Sequence, residues 1–329
     1  MLKWGILGLG KIAHSFVKDL LLVDGNEVKG LASRSESKAI DFKNEFKLSA
    51  STYGSYSELF LDPMIDIVYI ATPHDSHKQL SIEAMSFGKH VLCEKPMAVN
   101  AADAKEMIEA SKEYNVFLME ALWSRFNPAI RQVNKLVSDG AIGDVNYINV
   151  DFSHQMINAN VSSRLYNLDL AGGSLLDMGI YPIFLSYLLL GMPKEILATA
   201  RFHQTGADVQ TSAILKYEEA ISLVLSSFES HSDMVAKVFG TEGKIFINSR
   251  WHEAEGFVIE KDGHREMISV PKQGKGYTHE IMECQIQIEE GHIESDMWSH
   301  NDTLNLISIL DEIREKIGLV YPFETSNSQ

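Results

Sequence analysis

Over the first 120 residues, short apolar runs alternate with amphipathic stretches. Lys3–Leu9 reads as a strand, and Lys11–Leu22 as a helix with Ile12, Phe16 and Leu20 on one face. Glu27–Ala32 is a second strand, followed by a helix over Ser35–Phe46 with Ser35 at its N-cap. Ile65–Ala71 (IDIVYIA) is apolar almost throughout, as in the middle of a parallel sheet. Ser76–Phe87 reads as a helix stopped by Gly88. The strand His90–Cys93, the helix Ala101–Tyr114 and the strand Val116–Glu120 complete the series. Strict strand–helix alternation predicts a doubly wound α/β sheet with right-handed crossovers.

The pattern changes near residue 122. A helix is expected at Asn127–Ser138, and Val145–His154 alternates with period two, as a half-buried strand does. Gly173–Leu190 reads as a helix. Strands are expected at Ile196–Gln204, Val209–Tyr217, Ile221–Phe228, Val235–Phe239, Lys244–Asn248 and Gly256–Lys261. Two helices, Thr278–Glu290 and Asn301–Ile317, follow, and the tail from Glu324 to Gln329 is expected to fray. The prediction is two domains. Residues 1–122 form a Rossmann dinucleotide-binding domain, and 123–329 an α+β domain on a large, mostly antiparallel sheet. A sheet with one face covered by helices leaves the other open, and that face would suit a homodimer.

Length and composition agree. A chain of 329 residues, 45% hydrophobic and 22% charged, is long enough for two cores and too apolar for wholesale disorder. The net charge of −16 leaves no basic stretch to track a phosphate backbone, so nucleic acid is not an expected partner. Residues 1–122 carry 13 Lys/Arg against 17 Asp/Glu, while the rest carries 16 against 28. The first part thus repels an anionic cofactor less. Two cysteines, Cys93 and Cys284, make no disulfide framework and no metal cluster, and they fit a reducing compartment. The N-terminus lacks a secretory pattern, and the best apolar run, Ile180–Leu190, falls short of the ~18 residues of a membrane span. A cytoplasmic protein without a membrane partner or a metal is expected.

Candidate chemistry gathers at strand ends. Gly8-Leu9-Gly10-Lys11-Ile12-Ala13 lies where the first strand meets the first helix. Gly8 allows a tight turn, Gly10 lets a pyrophosphate approach the backbone, and Ala13 is small enough for close helix–strand packing. The second strand ends in Ser33-Arg34, with no acid to hold a ribose 2′-hydroxyl. Arg34, Ser33 and, one helical turn on, Lys38 suit a 2′-phosphate, so NADP is predicted rather than NAD. Ala71-Thr72-Pro73-His74-Asp75-Ser76-His77 follows the third of the strands read above. Cys93-Glu94-Lys95-Pro96 ends the next, where a cis proline bond would aim the lysine.

These motifs, with Met119-Glu120-Ala121-Leu122-Trp123-Ser124-Arg125-Phe126 and Ala171-Gly172-Gly173-Ser174-Leu175-Leu176-Asp177-Met178-Gly179-Ile180-Tyr181, resemble the Gfo/Idh/MocA oxidoreductase family. The similarity is strongest to the branch of dimeric dihydrodiol dehydrogenases and NADP-dependent D-xylose 1-dehydrogenases, over essentially the whole chain. Ala171 departs from the family's first triplet glycine. The resemblance implies cofactor contacts at Gly8 to Ile12, Ser33, Arg34, Lys38, Ala71 to His74, His77, Glu94 to Pro96 and Glu120. It implies catalysis by Lys95, Asp177 and Tyr181. Lys95 would sit near the nicotinamide and stabilise a phenolate at Tyr181, the candidate acid/base, while Asp177 accepts a substrate hydroxyl. Trp123, Arg125, His154 and Tyr277 would wall a sugar, polyol or dihydrodiol. The implied reaction is hydride exchange between NADP(H) and a hydroxyl or carbonyl carbon. An inositol- or biliverdin-type reductase and a non-catalytic NADP sensor are the alternatives.

Overall fold

The computed structural model describes residues 1–156 and 163–325. In chain order the elements are β1 (Leu2–Leu7), α1 (Lys11–Leu20), β2 (Asn26–Ala32), α2 (Glu36–Phe46), β3 (Ser51–Tyr53), α3 (Tyr56–Phe60), β4 (Ile67–Ile70), α4 (His77–Ser86), β5 (His90–Glu94), α5 (Ala101–Tyr114) and β6 (Leu118–Ala121). Then come α6 (Pro128–Ser138), β7 (Val145–Ser153), α7 (Ile180–Leu190), β8 (Glu195–Phe202), β9 (Asp208–Lys216), β10 (Ile221–Ser227), β11 (Ala236–Gly240), β12 (Gly243–Ile247), β13 (Gly256–Lys261) and β14 (His264–Ser269). The helices α8 (Thr278–Glu289), α9 (His300–Ile317) and α10 (Pro322–Thr325) close the described chain.

The chain forms two compact units, Met1–Trp123 with Gln273–Leu304, and Ser124–Lys272 with Asn305–Gln329. The sequence reading placed everything beyond 122 in one domain, whereas residues 273–304 return to the first unit. The reason is a set of bonds between sequence-distant groups. Asp19 on α1 accepts backbone N–H bonds from Lys275 (2.9 Å), Gly276 (2.9 Å) and Tyr277 (2.8 Å). Asn26 donates to Gln285 on α8 at 2.8 Å.

In the first unit a six-stranded sheet runs in the order β3-β2-β1-β4-β5-β6, every pair parallel. The order reverses between β1 and β4, where open α/β sheets bind ligands at their carboxyl ends. All four residues of β4 are buried, as its apolar run requires. The helix α1 buries Ala13, Phe16, Val17 and Leu20. Ile12, expected on that buried face, is 41% exposed at the start of the helix. Ser35 occupies the N-cap of α2 but makes no capping bond, because its hydroxyl pairs with that of Ser37 at 2.7 Å.

The second unit carries eight strands in the order β14-β13-β12-β11-β7-β10-β9-β8, antiparallel except for β7 and β10. Along β7, Ile148 and Val150 are buried while Tyr147 and Asn149 on the other face are only part-buried. Within Leu168–Leu190, longer than the Ile180–Leu190 run read from sequence, an 18-residue window reaches a mean hydropathy of 1.5, and 72% of that window is buried, as in a core helix. The expected helix over Gly173–Leu190 opens instead with a π turn, Leu175–Gly179. Three elements escape periodicity. β3 and α3 are too short to show a period. Most of β14 is exposed along its whole length, so it lacks alternation. At the C-terminus Glu324 does not fray, since it pairs with Arg314 and accepts the Tyr321 N–H at 3.1 Å. The rest of the tail, from residue 326, lies outside the described residues.

Candidate cofactor and catalytic residues

In the first unit the predicted cofactor residues, Glu120 apart, lie in or next to the loops that follow the parallel strands. Gly8 has φ +81°, and a Cβ there would stand 2.5 Å from the Ala71 carbonyl oxygen, so β1 and β4 approach closely only with glycine. A Cβ at Gly10 would meet nothing within 4 Å. Gly10 is the N-cap of α1 and offers no side chain to its first-turn N–H groups, and no acid stands in that turn. Exposed Lys11 and half-buried Leu9 flank it. Open space over an uncapped helix start beside a lysine suits a dinucleotide pyrophosphate. The residues present therefore fit the nicotinamide dinucleotide that the motif implies.

At the end of β2, Ser33 is nearly buried while Arg34 and Lys38 are exposed. The charge of Arg34 reaches Tyr56 and Asp75. No acid occupies the last positions of the strand. The loop after β4 holds Thr72, whose hydroxyl accepts from Ser76 at 2.8 Å, and Pro73 and buried His74.

His77 is fully buried, and its ring nitrogens lie 3.0 Å from the Pro96 and Thr72 carbonyl oxygens. It lies between the loop after β4 and the loop after β5, with one ring nitrogen facing a carbonyl oxygen of each. Burial lowers its pKa, and the neutral ring can donate to only one of the two carbonyls. The Lys95–Pro96 bond is cis.

Glu120, expected at the cofactor, is buried. Its carboxylate accepts the Met97 N–H (2.9 Å), the Trp298 indole N–H (3.1 Å) and the Thr303 hydroxyl (3.3 Å). Burial raises its pKa despite these donors, and the charge of Lys95 is felt there as well. Glu120 anchors the segment after Lys95-Pro96 from inside. Glu94 accepts from the Tyr69 hydroxyl and from the Lys95 N–H at 3.2 Å. Trp123 and Tyr277 stack with centroids 4.7 Å apart, a flat aromatic pair within this unit.

Asp177 and Tyr181 belong to the second unit. The segment before them needs its glycines. A Cβ at Gly172 would stand 2.4 Å from the Arg164 carbonyl oxygen, and one at Gly173 would stand 2.1 Å from the Asp208 carboxylate. Asp208 is buried and accepts from the Ser174 hydroxyl (2.7 Å), the Leu175 N–H (2.8 Å) and the Thr211 hydroxyl (2.8 Å). It caps the π turn that carries Asp177, and its pKa is raised by burial. Ala171 sits in the left-handed region at φ 54°.

Asp177 pairs with Arg164 at 2.9 Å. Tyr181 is 6% exposed, with its ring beside Phe152 (5.3 Å) and His252 (5.6 Å). His154 is exposed and its ring meets that of His231 at 5.3 Å, while Arg125 lies in the short turn Trp123–Phe126. The sequence reading missed Asp19, Asp208, His252 and Arg164. Only Asp19 left a signal, an acid among the buried positions of α1. A further omission, Tyr69, is the one polar-tipped residue in β4 (IVYI).

Among the described residues no group of three or more His, Cys, Asp or Glu could hold a metal ion. Residues 2–122 match the oxidoreductase family with an NAD-binding Rossmann fold, and residues 130–246 match the GFO/IDH/MocA C-terminal domain. The chain is similar to trans-1,2-dihydrobenzene-1,2-diol dehydrogenase of Mus musculus, 34% identical over 98% of this chain and 98% of the relative. It is 33% identical to D-xylose 1-dehydrogenase (NADP(+)) of Hypocrea jecorina over 98% of this chain and 93% of the relative. The fold is shared with a 3-ketoreductase from Actinomadura kijaniata in complex with TDP-benzene and NADP, at a TM-score of 0.87 and 24% identity over 96% of this chain and 98% of that one. Both domain matches and the full-length likeness agree with the sheet order and the glycine turn, and the chain belongs to the Gfo/Idh/MocA family of NAD(P)-dependent oxidoreductases.

Proposed function

We propose that the protein is an NADP-dependent dehydrogenase of a sugar or a cyclic diol. The observation that carries this reading is similarity along 98% of the chain to dihydrodiol and D-xylose dehydrogenases, with Lys95, Asp177 and Tyr181 all present. The choice of NADP is supported by Ser33, Arg34 and Lys38 at an acid-free strand end.

A bound nicotinamide supplies the hydride acceptor in the oxidative direction. The protein's own part is binding and proton handling. The first-turn N–H groups of α1 hold pyrophosphate, and Arg34 takes the 2′-phosphate. Tyr181 starts as the phenolate and its Oη receives the proton of the reacting hydroxyl, while Lys95 is assigned to that hydroxyl's oxygen and Asp177 to a neighbouring hydroxyl. The substrate alcohol becomes a carbonyl as its carbon gives up hydride and its oxygen gives up a proton. The Trp123–Tyr277 pair, each residue 5% exposed, is assigned to the apolar side of the substrate site. A homodimer through the open face of the eight-stranded sheet is part of the proposal. So is a reducing, cytoplasmic setting, which suits two buried free cysteines.

The test is a turnover panel of aldoses, inositols and dihydrodiols with NADP and NAD, run on the unmodified protein and on Tyr181→Phe. Turnover of an aldose or dihydrodiol with a clear NADP preference is expected. Tyr181→Phe should lower kcat by about 100-fold or more while the Kd for NADP stays within about two-fold. Undiminished kcat in the variant removes the proton role from Tyr181, and turnover confined to inositols removes the substrate class.

A further inference from the structure

We propose that Tyr69 is a positioning residue for Lys95: its hydroxyl holds the Glu94 carboxylate, and that carboxylate fixes the lysine's backbone. The proposal rests on the dehydrogenase reading, in which Lys95 serves the reacting hydroxyl.

Tyr69 stands third in β4, where isoleucine and valine fill the other positions, and it is fully buried. A phenylalanine would fill the same space without bringing a polar atom into the core, and a buried hydroxyl is costly unless bonded. That hydroxyl donates to Glu94 Oε1, at the carboxyl end of the adjacent strand β5. The second carboxylate oxygen, Oε2, accepts the Lys95 N–H at 3.2 Å. Glu94 is itself only 8% exposed, so it has little water to replace a lost donor. The Tyr69 ring in turn stacks on Phe16 of α1, 3.7 Å between centroids and 10° from parallel. One line of contacts therefore runs from the helix that starts at the glycine turn, through Tyr69 and Glu94, to Lys95.

Several groups face this pair. The Glu280 carboxyl and the Tyr277 phenol on the α8 side lie near enough to Tyr69 to raise its pKa, and the charge of Glu94 reaches Glu280 and Cys93. Burial holds Tyr69 neutral far above the physiological range, so it stays a donor. Deleting its hydroxyl removes a bond to the charged form of Glu94 and raises that carboxyl's pKa. A displacement of about 1 Å at a reacting group can cost up to 100-fold in rate.

The experiment measures Tyr69→Phe, Glu94→Gln and the double variant beside the unmodified protein and Tyr181→Phe. In Tyr69→Phe, kcat should fall about ten-fold, with KM for NADP and substrate within about two-fold, and the acid limb of the kcat–pH profile should move to higher pH. Glu94→Gln should abolish that limb, and adding Tyr69→Phe to it should cost little more, because the two act as one unit. An unmoved profile, equal costs of Tyr69→Phe in both backgrounds, or a joint fall of kcat, NADP affinity and thermal stability overturns the assignment. If Tyr69→Phe does not fold, an unchanged pH profile in Glu94→Gln overturns it alone. Full turnover in Tyr181→Phe strikes only the proton role of Tyr181 and leaves the dehydrogenase reading standing. A crippled Tyr181→Phe beside an intact Tyr69→Phe strikes only Tyr69. No turnover in the unmodified protein overturns both.

Discussion

Glu280 lies in the first turn of α8 with no exposed surface, and among the described residues neither carboxyl oxygen meets a hydrogen-bond donor. Burial first, then the nearby charges of Glu94 and Asp19, holds its pKa well above the ordinary carboxylate range. The folded state therefore binds this proton more tightly than the unfolded chain does. The stability that the proton confers is complete below the unfolded value near 4.5 and is lost as pH rises toward the folded value. Glu280→Gln keeps the shape and removes the titration. Denaturant unfolding at pH 5 and pH 8 should show the variant gaining on the unmodified protein at the higher pH. An equal difference at both pH values refutes the buried-acid account. An acid in the first turn of a helix looks ordinary in sequence, because such acids complement the helix dipole. Burial alone makes this one unusual.

At the scale of elements, the segment that enters α8 is clamped to α1 by one carboxylate. Asp19 accepts three consecutive backbone N–H groups, and Gly274 packs so closely that a Cβ there would stand 2.3 Å from Asp19 Oδ1. The clamp includes the Tyr277 N–H, so it also places the Trp123–Tyr277 stack. Asp19→Ala would leave these N–H groups without an acceptor, two of them buried, and should cost about 3 kcal/mol in denaturant unfolding. The proposed sugar or diol should also show a higher KM. A variant as stable as the unmodified protein would show the clamp to be incidental. The periodic elements β1, α1, β4 and α5 were readable within a few residues, since each carries its own apolar period. The π turn at Leu175–Gly179 was not, because an acid 31 residues after Asp177 caps it.

At the scale of the whole molecule, the open face of the eight-stranded sheet sets Leu197, Ile214 and Leu223 side by side across β8, β9 and β10. Leu197 is 49% and Ile214 37% exposed, and Ile221 adds to the same face. Contiguous apolar surface of this kind marks an interaction surface. A second copy is its proposed occupant. Sedimentation should show a dimer, and Ile214→Asp should shift it to monomer without loss of the fold. A monomer at micromolar concentration in the unmodified protein refutes the assembly.

Periodicity and glycine placement determined the parallel sheet, the cofactor turn and the mostly antiparallel second sheet. These properties arise from backbone geometry within a few neighbouring residues. The same local chemistry marked Arg34 and Lys95 as strand-end cations. Packing alone decided which polar groups are engaged inside the protein. His77 and Glu120 read as cofactor ligands from sequence; only the fold shows the His77 ring between the Thr72 and Pro96 carbonyls and Glu120 accepting from Met97, Trp298 and Thr303. Likewise the return of residues 273–304 to the first unit depends on Asp19, more than 250 positions away. A buried polar group takes whichever partner the fold brings within about 3 Å, and separation along the chain carries no information about that distance.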